Sequence, residues 1–499
     1  IENIMFNFFK PKIRTRFAPS PTGYVHLGNL RSALYEYLFA RQNGGVFFLR
    51  IEDTDQSREV PGAVENMLKV LKWAGIEPDE GIMLDSKGES SQKGKFGPYV
   101  QSKRLDLYQK YAKMLIDKNL AYYCFCTPER LEVLRREQEE TSQPTRYDGR
   151  CKKMSAEEIK KRIASGEKCA IRMKMPANRE IEFTDIIRGK VRINSNDLDE
   201  QVLFKADGFP TYHLAHVVDD HLMKTTYVIR GEEWLPSTPK HLILFEYLGW
   251  QAPQYAHLPI ILNPDKSKLS KRQGDVAVED YRDKGYLPEA LINYVALLGW
   301  NPGTDQEIFS LSELIKNFSL SRVHKAGAVF DIKKLDWLNG VYIKKLPSKK
   351  FVQLSLPFLE RRLGELPKDF DVEKILKIEQ ERVNKLSEVG EGIGFFFVDE
   401  LDYESELLIW KKSNQESTVK NLELLADELN KYSDWSKENL EKSLLAFIKS
   451  RGLSNGEVLW PLRVALTGLE KSPTPFEVAE ILRKDRTIKR VKEAIEKLK

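Results

Sequence analysis

The stretch Ile13–Asp55, IRTRFAPSPTGYVHLGNLRSALYEYLFARQNGGVFFLRIEDTD, decides the fold. Ile13 to Phe17 is a short extended run that ends in APSPTG, where prolines and a glycine exclude helix. LRSALYEYLFARQ, from Leu30 to Gln42, then places apolar residues at helical spacing. After the pair Gly44 and Gly45, the compact apolar run Val46, Phe47, Phe48, Leu49 and Ile51 reads as a second buried strand. Strand, helix, strand in that order predicts a parallel α/β unit.

Between about Arg104 and Ala206 the pattern changes. A helix through LDLYQKYAKMLIDK is followed by a cysteine pair, a charged helix at PERLEVLRREQEE and short strands near CAIRMKM and KVRINS, which together predict an inserted α+β domain. VLFKADGFPTYHLAHVVDDHLMKTTYVIRGEEW restores strand and helix alternation, with YVIRG a buried strand, so the first sheet resumes there. From about Leu338 onward the chain reads as amphipathic helix with Lys and Glu on the outer faces. The predicted fold class is α/β: a split Rossmann-like parallel sheet with an inserted α+β domain, followed by a largely α-helical C-terminal half. The expected boundaries are 1–103 and 206–265 for the two halves of the sheet domain, 104–205 for the insertion, then 266–345 and 346–499. SKGESSQKGKFG reads as a surface loop, and no internal repeat of fixed period is present.

Composition sets outer limits. A chain of 499 residues, 41% hydrophobic and 31% charged, is globular and long enough for several compact units. Its net charge of +5, against 79 basic and 74 acidic residues, permits an RNA partner only through local basic surface. Cys124, Cys126, Cys151 and Cys169 are too few and too clustered for a disulfide framework, so a reducing, cytoplasmic setting is expected. No window approaches the ~18 to 20 apolar residues of a membrane-spanning helix. The opening IENIMFNFFKPK bears Glu2, has a very short hydrophobic core and lacks a small-residue cleavage site, so it reads as a leader into the first strand with Met5 a candidate start.

Two motifs point to nucleotide chemistry. In APSPTGYVHLGN, His26 and Gly28 stand where an extended loop turns into a helix, a place where backbone N–H groups meet a phosphate. Far downstream, NPDKSKLSKRQGD gathers Lys266, Lys268, Lys271 and Arg272 with Ser267, Ser270 and Gly274, a cationic lid. Alone, a histidine at a helix start reads as a cap and a lysine-rich loop as a solvated segment; at opposite ends of the α/β sections they can clamp a triphosphate. A Walker-type loop is excluded, because GESSQKGKF has five residues between its glycines and phenylalanine follows the lysine.

HLGN and KLSKR resemble the HIGH-type and KMSKS-type motifs of class I aminoacyl-tRNA synthetases, with Asn29 in place of the second histidine and still able to donate a hydrogen bond. RFAPSPTG, RIEDTD, FPTYHLAHVVDDH, VIRGEEW and KLSKR, in that order and spacing, resemble the glutamyl-tRNA synthetases, and WPLRVALTG near Trp460 extends the resemblance into the helical tail. The resemblance implies ATP-dependent ligation of L-glutamate to tRNA(Glu) through a glutamyl-adenylate, with Mg2+ on the nucleotide. His26, Lys268 and Lys271 would be catalytic, and Gly28, Asn29, Leu269 and Ser270 would complete the ATP site. Arg16 would receive the side-chain carboxylate, Tyr212 orient it, and Ser20 and Glu52 hold the ammonium, with Ala18, His216 and Arg230 completing the glutamate pocket. Relatives often carry asparagine where His216 stands. A ligand with two carboxylates and one ammonium needs this mixture of guanidinium fork and fixed anion.

By the same resemblance the insertion binds the acceptor stem, residues 266–345 contact the stem, residues 346–499 bind the anticodon, and the enzyme is a monomer. Whether tRNA(Gln) is charged as well rests on a few anticodon contacts, for which EGIGFFF near Gly394 is a candidate; the basic run RKDRTIKRVK reads equally as backbone contact or solvated helix face. The rivals are a glutaminyl-tRNA synthetase, whose anticodon region is typically β-barrel, a shortened tRNA-base-glutamylating paralogue without the tail, and a catalytically dead RNA-binding relative, which would be expected to lose His26 or the lysine loop.

Cys124, Cys126 and Cys151 form C-x-C plus a third thiol after 24 intervening residues, resembling the Zn2+ module of some family members. Those members offer histidine or tyrosine after the third cysteine; here KKMSAEE follows, Lys153 cannot serve and Glu157 or Glu158 would have to substitute. Weak zinc binding or none is expected. His213, His216 and His221 with Asp219 and Asp220 form a second, weaker metal candidate.

Overall fold

The computed structural model describes residues 12–269, 277–364 and 371–499. The chain forms two compact units, one running to Arg282 and including Pro288–Ile332, the other comprising Asp283–Leu287 and Lys333–Lys499.

In the first unit β1 (Arg14–Phe17) and β2 (Val46–Leu49) are buried at every position and pair in parallel, with Arg14 opposite Val46. A parallel strand covered on both faces requires a continuous apolar run, which VFFL supplies. Between them α1 (Leu27–Gln42) buries Leu27, Leu30, Ala33, Leu34, Tyr35, Tyr37, Leu38 and Ala40, residues spread around its circumference, as suits a helix packed on all sides. Next come α2 (Ala63–Trp73) and β3 (Glu80–Leu84), parallel to β2, and then β4 (Ser90–Lys93), antiparallel to β3. This strand lies within SKGESSQKGKFG, which the sequence reading assigned to loop. Its largely exposed SSQK carries no apolar alternation, so only the backbone ladder to β3 makes it a strand.

α3 (Leu105–Asp117) leads to β5 (Ala121–Cys124) and to the charged α4 (Pro128–Glu140), which starts on a Thr127 cap with proline at its first position. β6 (Ala170–Met173) pairs antiparallel with β5. β7 (Glu180–Asp185) and β8 (Gly189–Asn194) form a hairpin, and β9 (Val202–Phe204) closes the three-stranded sheet on β6. α5 (Tyr212–Leu222), β10 (Tyr227–Gly231), α6 (Thr238–Leu248) and β11 (Gln254–Leu258) then restore the parallel pattern. β10 lies beside β1, where the Thr226 N–H donates to the Arg14 carbonyl at 3.0 Å, so the two sections of sheet meet. On the far side, Asp185 of β7 pairs with Tyr255 of β11, which docks the hairpin on the resumed sheet.

An apolar core that includes Tyr108, Leu115, Leu214, Val217, Val218, Ile243, Leu244 and Phe245 fastens α3 to α5 and α6. Each fully buried aliphatic side chain contributes about 1.5–3 kcal/mol. Through this core runs an ion network. Asp219 accepts from Arg104 Nε at 2.7 Å, Gln101 Nε2 at 2.9 Å and the Tyr108 hydroxyl at 2.8 Å. Asp220 accepts from Arg16 Nε at 3.0 Å, Arg50 Nη1 at 2.8 Å and the Thr225 hydroxyl at 3.2 Å.

Among its described residues the second unit has helices and no strand. It includes Ser348–Leu363, Gln415–Leu429, Lys437–Ser450, Asn455–Thr467 and Pro475–Leu498, the last two opened by capping boxes, Ser454 with Glu457 and Thr474 with Glu477. The helical C-terminal half expected from the sequence is present. Among the described residues no helix is long and apolar enough to cross a membrane.

Removing Asp219 would strand Arg104, Gln101 and Tyr108 inside the protein. Asp219→Ala is therefore expected to lower stability by about 3–5 kcal/mol, seen as a lower urea midpoint for the first unit; an unchanged midpoint would show that the network contributes nothing net.

Candidate active site

His26 occupies the N-cap of α1, and its Nδ1 accepts the N–H groups of Gly28 at 3.1 Å and Asn29 at 3.3 Å. That capping bond decides the tautomer. With the Nδ1 lone pair engaged, the proton sits on Nε2, which becomes a donor. Gly28 is needed for this fold-over, because a Cβ there would stand 3.0 Å from two atoms of the His26 ring.

His26, Gly28, Asn29, Lys268 and Leu269 line one cavity of about 310 Å³. Lys268 and Leu269 reach it because Leu269 N–H donates to the Ile261 carbonyl at 3.0 Å and Lys268 bridges to Leu262. Motifs some 240 residues apart in sequence therefore converge. Ser270 and Lys271 lie outside the described residues.

A second cavity, of about 480 Å³, is lined by Arg16, Ala18, Ser20, Glu52, Tyr212 and Arg230. It shares Asn29, Ser32, Gly231 and Glu233 with the first, so the two adjoin. Glu52, in the EDTD turn, is 5% exposed, drawn inward by Arg50, whose Nη2 donates to its Oε1 at 2.8 Å. Arg230 is held on every side. Its Nε donates to His257 Nε2 at 3.1 Å, Nη1 to the Tyr212 hydroxyl at 2.9 Å and Nη2 to Thr238 Oγ1 at 3.0 Å, while His257 Nδ1 donates to Asp185 at 2.7 Å.

His216 does not line the cavity. It lies fully buried behind Tyr212, stacked at 4.7 Å, and its Nδ1 is 3.2 Å from Asp220. Asp220 was singled out in the sequence only as a metal candidate. Burial alone would push its carboxyl up, but Arg16 and Arg50 outweigh that and hold it well below the usual range. Glu36 and Ser32 on α1 also line the cavity, and no motif pointed to them; Trp234, which closes VIRGEEW, lines it too.

The His213, His216 and His221 candidate does not assemble. Among the described residues, the cysteine trio forms the one group of three or more His, Cys, Asp or Glu whose ligand atoms come within 4.8 Å of one another. His221 instead stacks on Trp250 at 3.9 Å, and His213 bonds His241 at 2.9 Å. In the trio, Cys126 and Cys151 Sγ are 3.5 Å apart, and the Tyr147 hydroxyl lies 3.5 Å from Cys124 Sγ and 3.4 Å from Cys126 Sγ. The aromatic donor sought after the third cysteine stands before it. Burial pushes the Cys124 thiol up, but the Cys126 N–H, the Tyr147 hydroxyl and Arg172 bring it below its ordinary value.

In the second unit Phe395 and Phe396 of EGIGFFF are buried, so this segment is partly core. RKDRTIKRVK divides: Arg490 is buried and donates to the Leu466, Phe395 and Val398 carbonyls, while Lys484, Lys489 and Lys492 line a cavity of about 850 Å³. That cavity contains neither of the motifs above.

Burial lowers the His216 pKa to about 3 and that of His213 to about 4, against the ordinary 6.5. Both rings are neutral when folded and take up protons on unfolding below pH 6.5. The contribution of these two rings to stability should be constant above pH 6.5 and fall as the pH drops from there toward about 3. His216→Asn should make that fall shallower by one proton; urea midpoints between pH 7.5 and 4.5 that show the same slope for both proteins would refute this.

Residues 12–337 match the family model for tRNA synthetases class I (E and Q), catalytic domain, and residues 350–495 match an anticodon binding domain. The chain is 47% identical over 493 residues to a glutamate–tRNA ligase of Alkaliphilus metalliredigens, covering 96% of this chain and 98% of that protein. It is 48% identical over 492 residues to a glutamate–tRNA ligase of Clostridium tetani, covering 98% of each. In three dimensions it is similar to the crystal structure of a glutamate tRNA ligase from Elizabethkingia meningosepticum in complex with its amino acid, with a TM-score of 0.88 and 40% identity over 98% of this chain and 100% of that one.

Proposed function

The chain belongs to the glutamate–tRNA ligase family of class I tRNA synthetases, and we propose that it uses ATP to join L-glutamate to tRNA(Glu) through a glutamyl-adenylate. The supporting observation is the shared wall of the two cavities, so that a carboxylate placed beside Arg16 and Arg230 would adjoin a nucleotide placed beside His26 and Lys268.

The α-carboxylate of glutamate attacks the α-phosphorus, the bond to pyrophosphate breaks, and a mixed anhydride forms. Charge that builds on the phosphoryl oxygens is met by the His26 Nε2–H and by Lys268 and Lys271. Magnesium held by the nucleotide's own phosphates would supply further positive charge against the pyrophosphate. A ribose hydroxyl at the tRNA end then attacks the anhydride carbonyl and releases AMP, with positioning rather than a protein nucleophile as the main contribution. Arg16 receives the side-chain carboxylate, Tyr212 orients it, Ser20 and Glu52 hold the ammonium, and Ala18 and Arg230 complete the lining; His216 acts from behind Tyr212. A wrong ligand leaves buried charges unpaired, which supplies selectivity without editing.

Residues 346–499 bind the anticodon, and a monomer in a reducing cytoplasm suits four free thiols. Charging assays with purified tRNA(Glu) and tRNA(Gln) decide whether the second acceptor is also used. With tRNA present, Lys271→Ala should reduce glutamate-dependent ATP–pyrophosphate exchange by about 10²–10³; exchange at the parent rate would remove Lys271 from the phosphate clamp.

For the insertion we propose a structural zinc held by Cys124, Cys126, Cys151 and Tyr147. Around zinc with bonds of ~2.3 Å to sulfur and ~2.0 Å to oxygen, tetrahedral edges are about 3.5–3.8 Å, and the contacts of 3.4–3.5 Å in this cluster fit that size. Chelator-washed protein should retain about one equivalent of zinc and Tyr147→Phe less; metal-free parent protein would restore the expectation drawn from sequence.

A further inference from the structure

One carboxyl of the amino-acid cavity has no part in the chemistry above. Glu36 lies on the buried side of α1, is 1% exposed and lines the cavity with Arg16, Ser32, Tyr212 and Arg230. Its Oε1 is 3.5 Å from Arg16 Nη1, a marginal contact, and its Oε2 has no hydrogen-bond partner among the described residues. Arg16 directs its better-aligned bonds to Asp220, through Nε at 3.0 Å and Nη2 at 3.4 Å.

A buried carboxylate with one oxygen bare is costly, whereas a neutral acid in the same place needs Oε1 only as an acceptor and carries a donor on Oε2. Burial drives the Glu36 carboxyl well above the usual range, Asp220 pushes it the same way, and Arg16 and Arg50 offset this only in part. Glu52, by comparison, is gripped by Arg50 through both Nε and Nη2. An ionised Glu36 would also repel an incoming carboxylate.

We propose that Glu36 is a specificity-determining residue of the amino-acid pocket, donating a hydrogen bond from Oε2 to the side-chain carboxylate of the substrate beside the Arg16 fork. The proposal rests on the reading that this cavity takes L-glutamate. Two donors, the guanidinium and the acid, then face two acceptor oxygens. Glutamine would bring its –NH₂ against one of them and leave two donors opposed, so the pair rejects the amide.

Deprotonation should switch the donor off. The charged groups acting on Glu36 are Arg16 on β1, Arg50 following β2 and Asp220 on α5, with His216 beside Asp220, while Tyr212, Glu52, Arg230 and Glu233 share its cavity. His216 is lowered to about 3 and burial raises Tyr212, so neither titrates between pH 6.5 and 9. Glu52, also raised by burial, is common to parent and variants.

The test measures glutamate KM in tRNA charging by the full chain from pH 6.5 to 9. In the parent, KM should climb with pH. Glu36→Ala should raise KM about 10- to 100-fold at pH 6.5 and narrow the preference for glutamate over glutamine, with the KM for ATP unmoved. Glu36→Gln, whose amide can still donate, should restore most of that loss and give a KM that climbs less steeply with pH than the parent's. A Gln variant as impaired as the Ala variant, or one that keeps the parent's pH profile, would overturn the proposal, as would a parent KM that does not change with pH. Lowered melting temperatures with unaltered KM would reduce Glu36 to a structural role and overturn it too. A parent that charges no glutamate at all would instead sink the substrate reading, and this proposal with it.

Discussion

The adjacent carboxylates Asp219 and Asp220 on α5 hold the catalytic unit together. Asp220 reaches Arg16 on β1 and Arg50 after β2, residues 204 and 170 positions away, and Asp219 reaches Arg104 ahead of α3. A buried arginine is tolerable only when its charge is met at short range. These two aspartates meet three such arginines at once, which joins the resumed section of sheet to the opening section in a defined register.

The network also sets what the cavity presents. Because Asp220 holds the Arg16 guanidinium from behind, the fork enters the site oriented rather than searching, and less rotamer entropy is lost on binding. Arg230 is fixed by the same logic through Asp185, His257 and Thr238. His26 follows a parallel rule at the nucleotide end, where capping α1 settles which nitrogen bears the proton. In all three cases a bond that serves the fold determines the direction in which a polar group faces its cavity, so stability and pre-organisation share the same contacts.

Much of this was readable from one dimension. The strand, helix, strand opening followed from an apolar run after a glycine pair, and the helical second half from its periodicity, since both patterns are local consequences of which faces are buried. β4 was not readable, because SSQK becomes a strand only through the backbone of β3 and has no side-chain signature. The burial of Glu52 was not readable for a related reason: in EDTD a buried carboxylate and a solvated one look alike until Arg50 is seen beneath it. Beyond Cys151 the chain offers only Glu157 and Glu158 as a fourth zinc ligand, whereas Tyr147, four residues before that cysteine, places its hydroxyl against the thiols.

The sequence by itself determined the order of elements, the family, and the residue types that phosphate and carboxylate recognition require, because these depend on local periodicity and on motifs a few residues long. Tertiary structure decided that the HLGN turn and Lys268 share one wall, that His216 stands behind Tyr212, and that Glu36 lines the second cavity with one oxygen unpartnered among the described residues. Those are contacts between segments up to some 240 residues apart. Their distances and protonation states arise from burial and from charges brought close only by folding, and no local pattern in the chain encodes them.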